Sequence, residues 1–141
     1  MIENNSEARL PTPTDPVVIS GEVVHGKMLG RQMGTPTANV SFDRCVCPVP
    51  CGIYASRVLF RGARYNAVTN IGTRPTVDGE AVNCETYIFD FSEDIYGQSI
   101  EITLYTRLRE ERRFCSVDEL RLAILSDIEG AREFFASHSD I

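Results

Sequence analysis

Three glycines at intervals of four residues, followed by the run Pro-Thr-Ala-Asn, form the part of this 141-residue chain best suited to chemistry. The glycines are Gly26, Gly30 and Gly34, and Arg31 lies among them. Glycine lets backbone N–H groups approach an anion closely, and arginine adds a fixed positive charge. The segment therefore suits nucleotide phosphates. It is not a Walker loop, however, and a surface loop with turn glycines has the same spacing.

Thr37 and Asn39 follow this loop and are separated by one residue. In an extended segment, both side chains point to the same side of the backbone. Two neutral oxygens on one side suit Mg²⁺, which takes its other ligands from water and substrate phosphates. The alternative interpretation is a turn, in which Pro36 fixes the backbone and Asn39 hydrogen-bonds its own neighbours.

Glu85 precedes an apolar, aromatic run and is the candidate general base. A carboxylate that faces an apolar interior remains charged only beside a metal, an arginine or a substrate hydroxyl. Alternation along the strand allows either Tyr87 or Thr86 to face inward, so the pattern leaves the face of Glu85 open. The competing interpretation is a glutamate that faces solvent.

A charged run at residues 107–114 contains Arg109, Arg112 and Phe114. Such a run is typical of a solvated connection into a helix. The functional alternative is a lid, in which arginine and phenylalanine side chains lie over a flat aromatic ligand.

Short β-branched or aromatic runs, separated by Gly, Pro, Asn and Asp, predict an antiparallel sheet. The predicted strands are residues 17–24, 52–60, 64–71, 84–91 and 99–107. Gly62 falls in a predicted hairpin, and no helical pattern separates the strands, which favours a closed or sandwiched, mainly β architecture. One helix is predicted to begin at Ser116, with Glu119 completing a capping box, and to plug or flank the barrel.

Composition limits the class of protein. A chain of 141 residues with 43% apolar content fits one globular domain, and a formal charge of −6 disfavours a nucleic-acid partner. No export signal or membrane-length apolar stretch is found, so a cytoplasmic protein without membrane contact is expected.

Residues 1–16 are predicted to be a disordered arm or linker, 17–136 the domain, and 137–141 a frayed tail. The five cysteines are expected to be reduced, and Cys45, Cys47 and Cys51 lack the spacing of a zinc site.

Taken together, these segments resemble riboflavin kinase, the flavokinase domain that also forms the C-terminal half of bacterial bifunctional riboflavin kinase/FAD synthetase. The resemblance runs in order from Ile19 to about Arg132. Its blocks are residues 20–26, 29–31, 36–39, 52–55, 70–76, 85–91, 94–97, 108–111 with Phe114, and 127–128. The Pro-Thr-Ala-Asn run with the later Glu85-Thr86 pair is the most specific part.

The resemblance implies a single-domain antiparallel Greek-key β-barrel with a C-terminal helix, which uses ATP to phosphorylate the riboflavin 5′-hydroxyl, giving FMN and ADP. It implies Mg²⁺, with Zn²⁺ or Mn²⁺ as alternatives, held by Thr37 and Asn39, and Glu85 as the catalytic base. The implied ATP-phosphate ligands are Gly26, Arg31, Gly34, Thr37 and Asn39. The implied flavin ligands are Arg109, Arg112 and Phe114. Residues 70–76 are given a structural role, lining the ligand channel.

The resemblance also implies that the partners are small molecules and that the chain is a monomer. Because 16 residues cannot form the nucleotidyltransferase domain of the bifunctional enzymes, the reaction is expected to stop at FMN. Thr35 departs from the family, which has a bulky apolar residue before Pro36. Two alternatives remain, namely an inactive barrel that binds flavin, and a module excised from a bifunctional FAD synthetase.

Overall fold

The computed structural model describes residues 9–24, 38–41, 48–77, 79–91 and 94–141. Its elements are β1 (Val17–Val24), β2 (Ala38–Ser41), β3 (Gly52–Phe60), β4 (Ala63–Thr76), β5 (Gly79–Ile88), β6 (Ser99–Arg109) and α1 (Val117–Ser137). The strands of this part of the chain close into an antiparallel barrel in the order β1–β2–β5–β4–β3–β6. Strands β3, β4 and β5 follow one another, and β6 returns beside β3, which is a Greek key. The predicted Greek-key barrel with a C-terminal helix is confirmed.

The β3–β4 hairpin confirms the turn predicted around Gly62. Phe60 pairs with Ala63, and the two residues between them have positive φ, 52° at Arg61 and 79° at Gly62. A primed type I turn requires positive φ at both central positions, and its twist matches that of the strands. The hairpin thereby fixes the register of the β3–β4 ladder, which runs from the pair of Phe60 with Ala63 to that of Gly52 with Ile71.

Strands β4 and β5 differ in extent from their predictions. β4 continues to Thr76 rather than ending at residue 71, and β5 begins at Gly79 and ends at Ile88. Glycine, proline and asparagine are poor strand formers, so local propensity ends β4 too early and starts β5 too late. The predicted strand residues 89–91 lie beyond the end of β5, where Asp90 has a positive φ of 57°. Cross-strand hydrogen bonding between the two segments overrides that propensity and carries the ladder to the pair of Thr76 with Gly79. Strand β2, which the pattern did not single out, is held in the same way between β1 and β5.

The apolar side chains form two clusters, one inside the barrel and one outside it. The interior cluster includes Val23, Val40, Tyr54, Val58, Ile71, Cys84, Ile102 and Leu104. The outer cluster lies between the barrel wall and the helix and includes Ile53, Ala55, Val68, Phe89, Tyr105, Ala131 and Phe135. Alternate residues of one strand, such as Ile53 and Tyr54, therefore pack into different clusters.

Helix α1 flanks the barrel. Ser116 is its N-cap, and the Ser116 hydroxyl accepts a hydrogen bond of 3.1 Å from the Glu119 backbone N–H, as the capping box predicts. Ala131 and Phe135 cover the outer cluster. Within the described residues, no helix combines the length and apolar character that a membrane span requires.

Three hydroxyl groups form a hydrogen-bonded chain in the barrel interior. Ser56 Oγ lies 2.7 Å from Thr69 Oγ1, which lies 3.0 Å from Thr86 Oγ1, and all three residues are fully buried. The chain links β3, β4 and β5, so these polar groups satisfy one another inside an apolar core.

The two ends of the described chain are attached to the domain. Arg9 forms an ion pair of 3.2 Å with Asp15, and its backbone N–H donates to the Pro48 carbonyl. At the other end, Ile141 packs against the outer cluster. The predicted disordered arm lies in part, at residues 1–8, outside the described residues.

Candidate active site

The pairing of β2 with β5 places Asn39 directly opposite Glu85. Both side chains point away from the barrel interior, because their neighbours along each strand, Val40 and Cys84, belong to the interior cluster. Cβ atoms of directly opposed residues lie about 5 Å apart. Asn39 and Glu85, which are 46 positions apart in the sequence and were predicted for one site, are therefore neighbours on the outer wall.

Glu85 lies on the outer face of β5, which the sequence pattern left open. Thr86, the next residue, is fully buried inside and bonded to Thr69. Glu85 itself is half-buried, and its Oε1 accepts a hydrogen bond of 3.0 Å from Asn83 Nδ2. This contact orients the carboxylate. The pattern missed Asn83, although its spacing of two from Glu85 on one strand is the signal that also groups Thr37 with Asn39.

The pairing continues onto β4, where Asn70 lies opposite Glu85. We call Asn39, Glu85 and Asn70 the outer polar row. The next residue across the sheet is Ile53, which belongs to the outer cluster under helix α1. The row therefore runs from the short strand β2 to the edge of the helix-covered apolar surface. Three hydrogen-bonding side chains side by side beside an apolar surface suit a ligand with a polar end and a flat apolar body.

Arg109 ends β6 and is fixed by the helix. Its Nε and one terminal nitrogen each donate a 2.8 Å hydrogen bond to a different oxygen of Asp127. The Asp127 side chain is 7% exposed and that of Arg109 25%. The family resemblance includes Asp127 but gives it no role, and the helix pattern was read from its apolar residues alone. The signal was an acid spaced four residues from Ala123 and Ala131, both of which are buried.

The connection from β6 to α1 (residues 110–116) carries the other predicted flavin ligands. The guanidinium carbon of Arg112 lies 4.8 Å from the centroid of the Phe114 ring, and that of Arg109 lies 5.7 Å from it. Arg112 is exposed and Phe114 is half-buried. The structure thus places the guanidinium groups of Arg109 and Arg112 beside the ring of Phe114. Cation–π attraction stabilises this arrangement.

The predicted phosphate loop lies outside the described residues. This applies to Gly26, Arg31, Gly34 and Thr37, and to Thr35, the position that departs from the family. Their assignments stay predictions. Cys45 and Cys47 also lie outside, whereas Cys51 is described and half-buried. The described residues contain no group of three or more His, Cys, Asp and Glu side chains that could hold a metal ion.

The fold and the outer polar row define a small Greek-key barrel with a carboxylate–amide site on its wall. Residues 13–135 match the family model for flavokinase, described as riboflavin kinase. The chain therefore belongs to the riboflavin kinase family.

A curated relative supports this membership. The bifunctional riboflavin kinase/FMN adenylyltransferase of Escherichia coli (strain K12) is 49% identical over 121 residues, which cover 85% of this chain and 38% of the relative. The chain thus spans less than half the length of the curated relative.

Solved structures agree on the fold. The crystal structure of riboflavin kinase from Trypanosoma brucei has a TM-score of 0.61 at 24% identity, covering 86% of this chain and 78% of that one. A crystal structure titled macrolide-efflux protein, from Streptococcus pneumoniae, has a TM-score of 0.78 at 35% identity, covering 84% of this chain and 39% of that one. The macrolide-efflux function in that name is not shared by the family model or the Escherichia coli relative, and the likeness supports the fold.

Proposed function

We propose that this domain transfers the γ-phosphoryl group of ATP to the 5′-hydroxyl of riboflavin, giving FMN and ADP. The observation that carries the proposal is the direct pairing of Asn39 with Glu85 on the outer wall. Asn39 ends the segment proposed to bind phosphate, and Glu85 is a carboxylate suited to accept a hydroxyl proton. Membership of the riboflavin kinase family supports riboflavin as the phosphoryl acceptor, and ATP is the proposed donor.

The side-chain oxygens at this position fit Mg²⁺. The Asn39 side chain offers a neutral amide oxygen on the same face as the Glu85 carboxylate. Mg²⁺ is usually bound through one or two protein oxygens together with water and substrate phosphates. We assign this role to Asn39 and, by the family pattern, to the hydroxyl of Thr37. When bound, the ion would neutralise charge on the phosphates during transfer.

In the proposed reaction, the riboflavin 5′-oxygen bonds to the γ-phosphorus while the bond from that phosphorus to the β–γ bridging oxygen breaks. The bridging oxygen leaves with ADP, and the hydroxyl proton passes to Glu85. Asn83 holds the Glu85 carboxylate in position through its 3.0 Å hydrogen bond. A positioned general base contributes about 10²- to 10⁴-fold in rate. Gly26, Arg31 and Gly34 are assigned to binding of the ATP phosphates, which positions the donor.

The flavin ring is assigned to the side of the row next to the connection from β6 to α1. Arg112 and Phe114 are the proposed ring contacts, since one is exposed and the other presents an aromatic face. Arg109 acts differently, because two of its nitrogens are bonded to Asp127. We propose that Arg109 sets the position of this connection and contacts the flavin through the terminal nitrogen that does not bind Asp127, which also donates a 3.1 Å hydrogen bond to the Glu110 carbonyl.

The test is incubation of the protein with riboflavin, ATP and Mg²⁺, followed by chromatography of the flavins. FMN that appears with ATP and not without it supports the proposal. Riboflavin that is bound and unchanged would instead identify an inactive flavin-binding barrel. Riboflavin that neither binds nor reacts would refute both assignments.

A further inference from the structure

Asn70 carries a buried acceptor that lacks a donor. Among the residues that the structure describes, its Oδ1 is the buried side-chain oxygen or nitrogen with no hydrogen-bond partner. An unpaired buried acceptor is unfavourable in the folded protein, and native structures contain few of them. Such an atom persists at a functional site when a ligand supplies the missing donor.

The place of Asn70 in the outer polar row indicates which ligand that is. Asn70 lies directly opposite Glu85, so their Cβ atoms are about 5 Å apart on one face of the sheet. Glu85 is the residue to which the proposed function assigns the riboflavin 5′-hydroxyl. Two acceptors on adjacent strands suit two hydroxyl groups on adjacent carbons of one chain.

Gly72 has no side chain, which leaves a space beside Asn70 on the same strand. A side chain at residue 72 would begin 3.8 Å from Asn70 Oδ1, and the carboxylate of Glu111 occupies that space instead. A carboxylate is an acceptor only, so it cannot satisfy Asn70. Glu111 is exposed, and its flexible side chain can turn into water and leave the space to a substrate hydroxyl.

We propose that Asn70 Oδ1 accepts a hydrogen bond from the ribityl 4′-hydroxyl of riboflavin, next to the hydroxyl that is phosphorylated. Asn70 is then a substrate-binding residue rather than a structural one. This inference rests on the proposed function, because it assumes that the 5′-hydroxyl lies at Glu85. It places the polyol chain at the β4 end of the row, between Glu85 and the flavin ring at the connection from β6 to α1.

The experiment compares kcat/KM for riboflavin and for an analogue without the 4′-hydroxyl, in the wild-type protein and in Asn70→Ala. The wild type should prefer riboflavin by about tenfold, the effect of one hydrogen bond, and the variant should show little preference. The control is Asn66→Ala, on the same face of β4, where Oδ1 already accepts from Arg57 at 2.9 Å. That variant should keep the wild-type preference.

The thermal midpoint separates binding from a structural role. Removing an unpaired acceptor should leave the midpoint of Asn70→Ala equal to or above that of the wild type, whereas a structural asparagine would lower it. Equal use of both flavins by the wild-type protein would overturn the inference, and so would an unchanged preference in Asn70→Ala. Absence of FMN from the wild-type reaction would instead refute the proposed function.

Discussion

Removing Asp127 should destabilise the domain through the arginine it leaves behind. Asp127 binds Arg109 with two hydrogen bonds of 2.8 Å, and the two side chains are 7% and 25% exposed. Breaking a buried pair by removing one partner costs about 3–5 kcal/mol. Because water reaches a quarter of Arg109, we expect about 2–4 kcal/mol for Asp127→Ala, or a fall of about 10 °C in Tm. Arg109→Ala should lower the free energy of unfolding further, because it leaves the more deeply buried Asp127 without its partner.

The assay is a double-mutant cycle measured by urea unfolding of Asp127→Ala, Arg109→Ala and the double variant. The double variant should be more stable than the sum of the single losses predicts, by at least about 1 kcal/mol, because neither charge is then left unpaired. Glu129→Ala is the control, an exposed acid on the same helix, and it should change stability by less than about 0.5 kcal/mol. Additive losses, or a stable Asp127→Ala, would refute the reasoning.

Three further outcomes follow from the structure. Asn39→Asp should shift the Mg²⁺ concentration that supports half-maximal FMN formation, since a carboxylate replaces a neutral ligand, and an unchanged titration would exclude Asn39 from the metal site. Thr69→Val should lower the free energy of unfolding by about 1–3 kcal/mol without changing kcat, because it breaks the interior hydroxyl chain on the face opposite the site. The control is Thr73→Val, at an exposed position, which should leave the free energy of unfolding nearly unchanged in urea. Gly52→Ala should lower Tm by several degrees, because the alanine Cβ would lie 2.8 Å from the Arg109 carbonyl oxygen on β6. A Tm equal to that of the wild type would show that the strands move apart to make room for the Cβ.

The architecture was predictable where local pattern and tertiary structure agree. The hairpin at Gly62 and the cap at Ser116 were both read from local chemistry and are confirmed. Strand β2 and the far ends of β4 and β5 were not, because only neighbouring strands hold those residues extended. Propensity describes a segment alone, whereas barrel closure depends on pairing between segments distant in the sequence.

The candidate site was predictable in its residue types and not in its arrangement. Asn39 and Glu85 were grouped through the family resemblance, and their pairing became visible only with the strand order. The face of Glu85 depends on register, because a shift of one residue reverses every side chain. The spacing of Asp127 marks it as a buried helix residue but does not name Arg109 as its partner, and the unpaired oxygen of Asn70 depends on strand register, so neither contact could be predicted.

The central claim is that Glu85 accepts the proton of the riboflavin hydroxyl, and Glu85→Gln tests it most directly. Glutamine keeps the shape of the side chain and an oxygen for the Asn83 hydrogen bond, but it cannot serve as the base. We predict a kcat at least about 100-fold lower, with riboflavin affinity and Tm close to wild type, while Glu101→Gln, at an exposed position on β6, stays fully active. Normal FMN formation by folded Glu85→Gln would contradict the account.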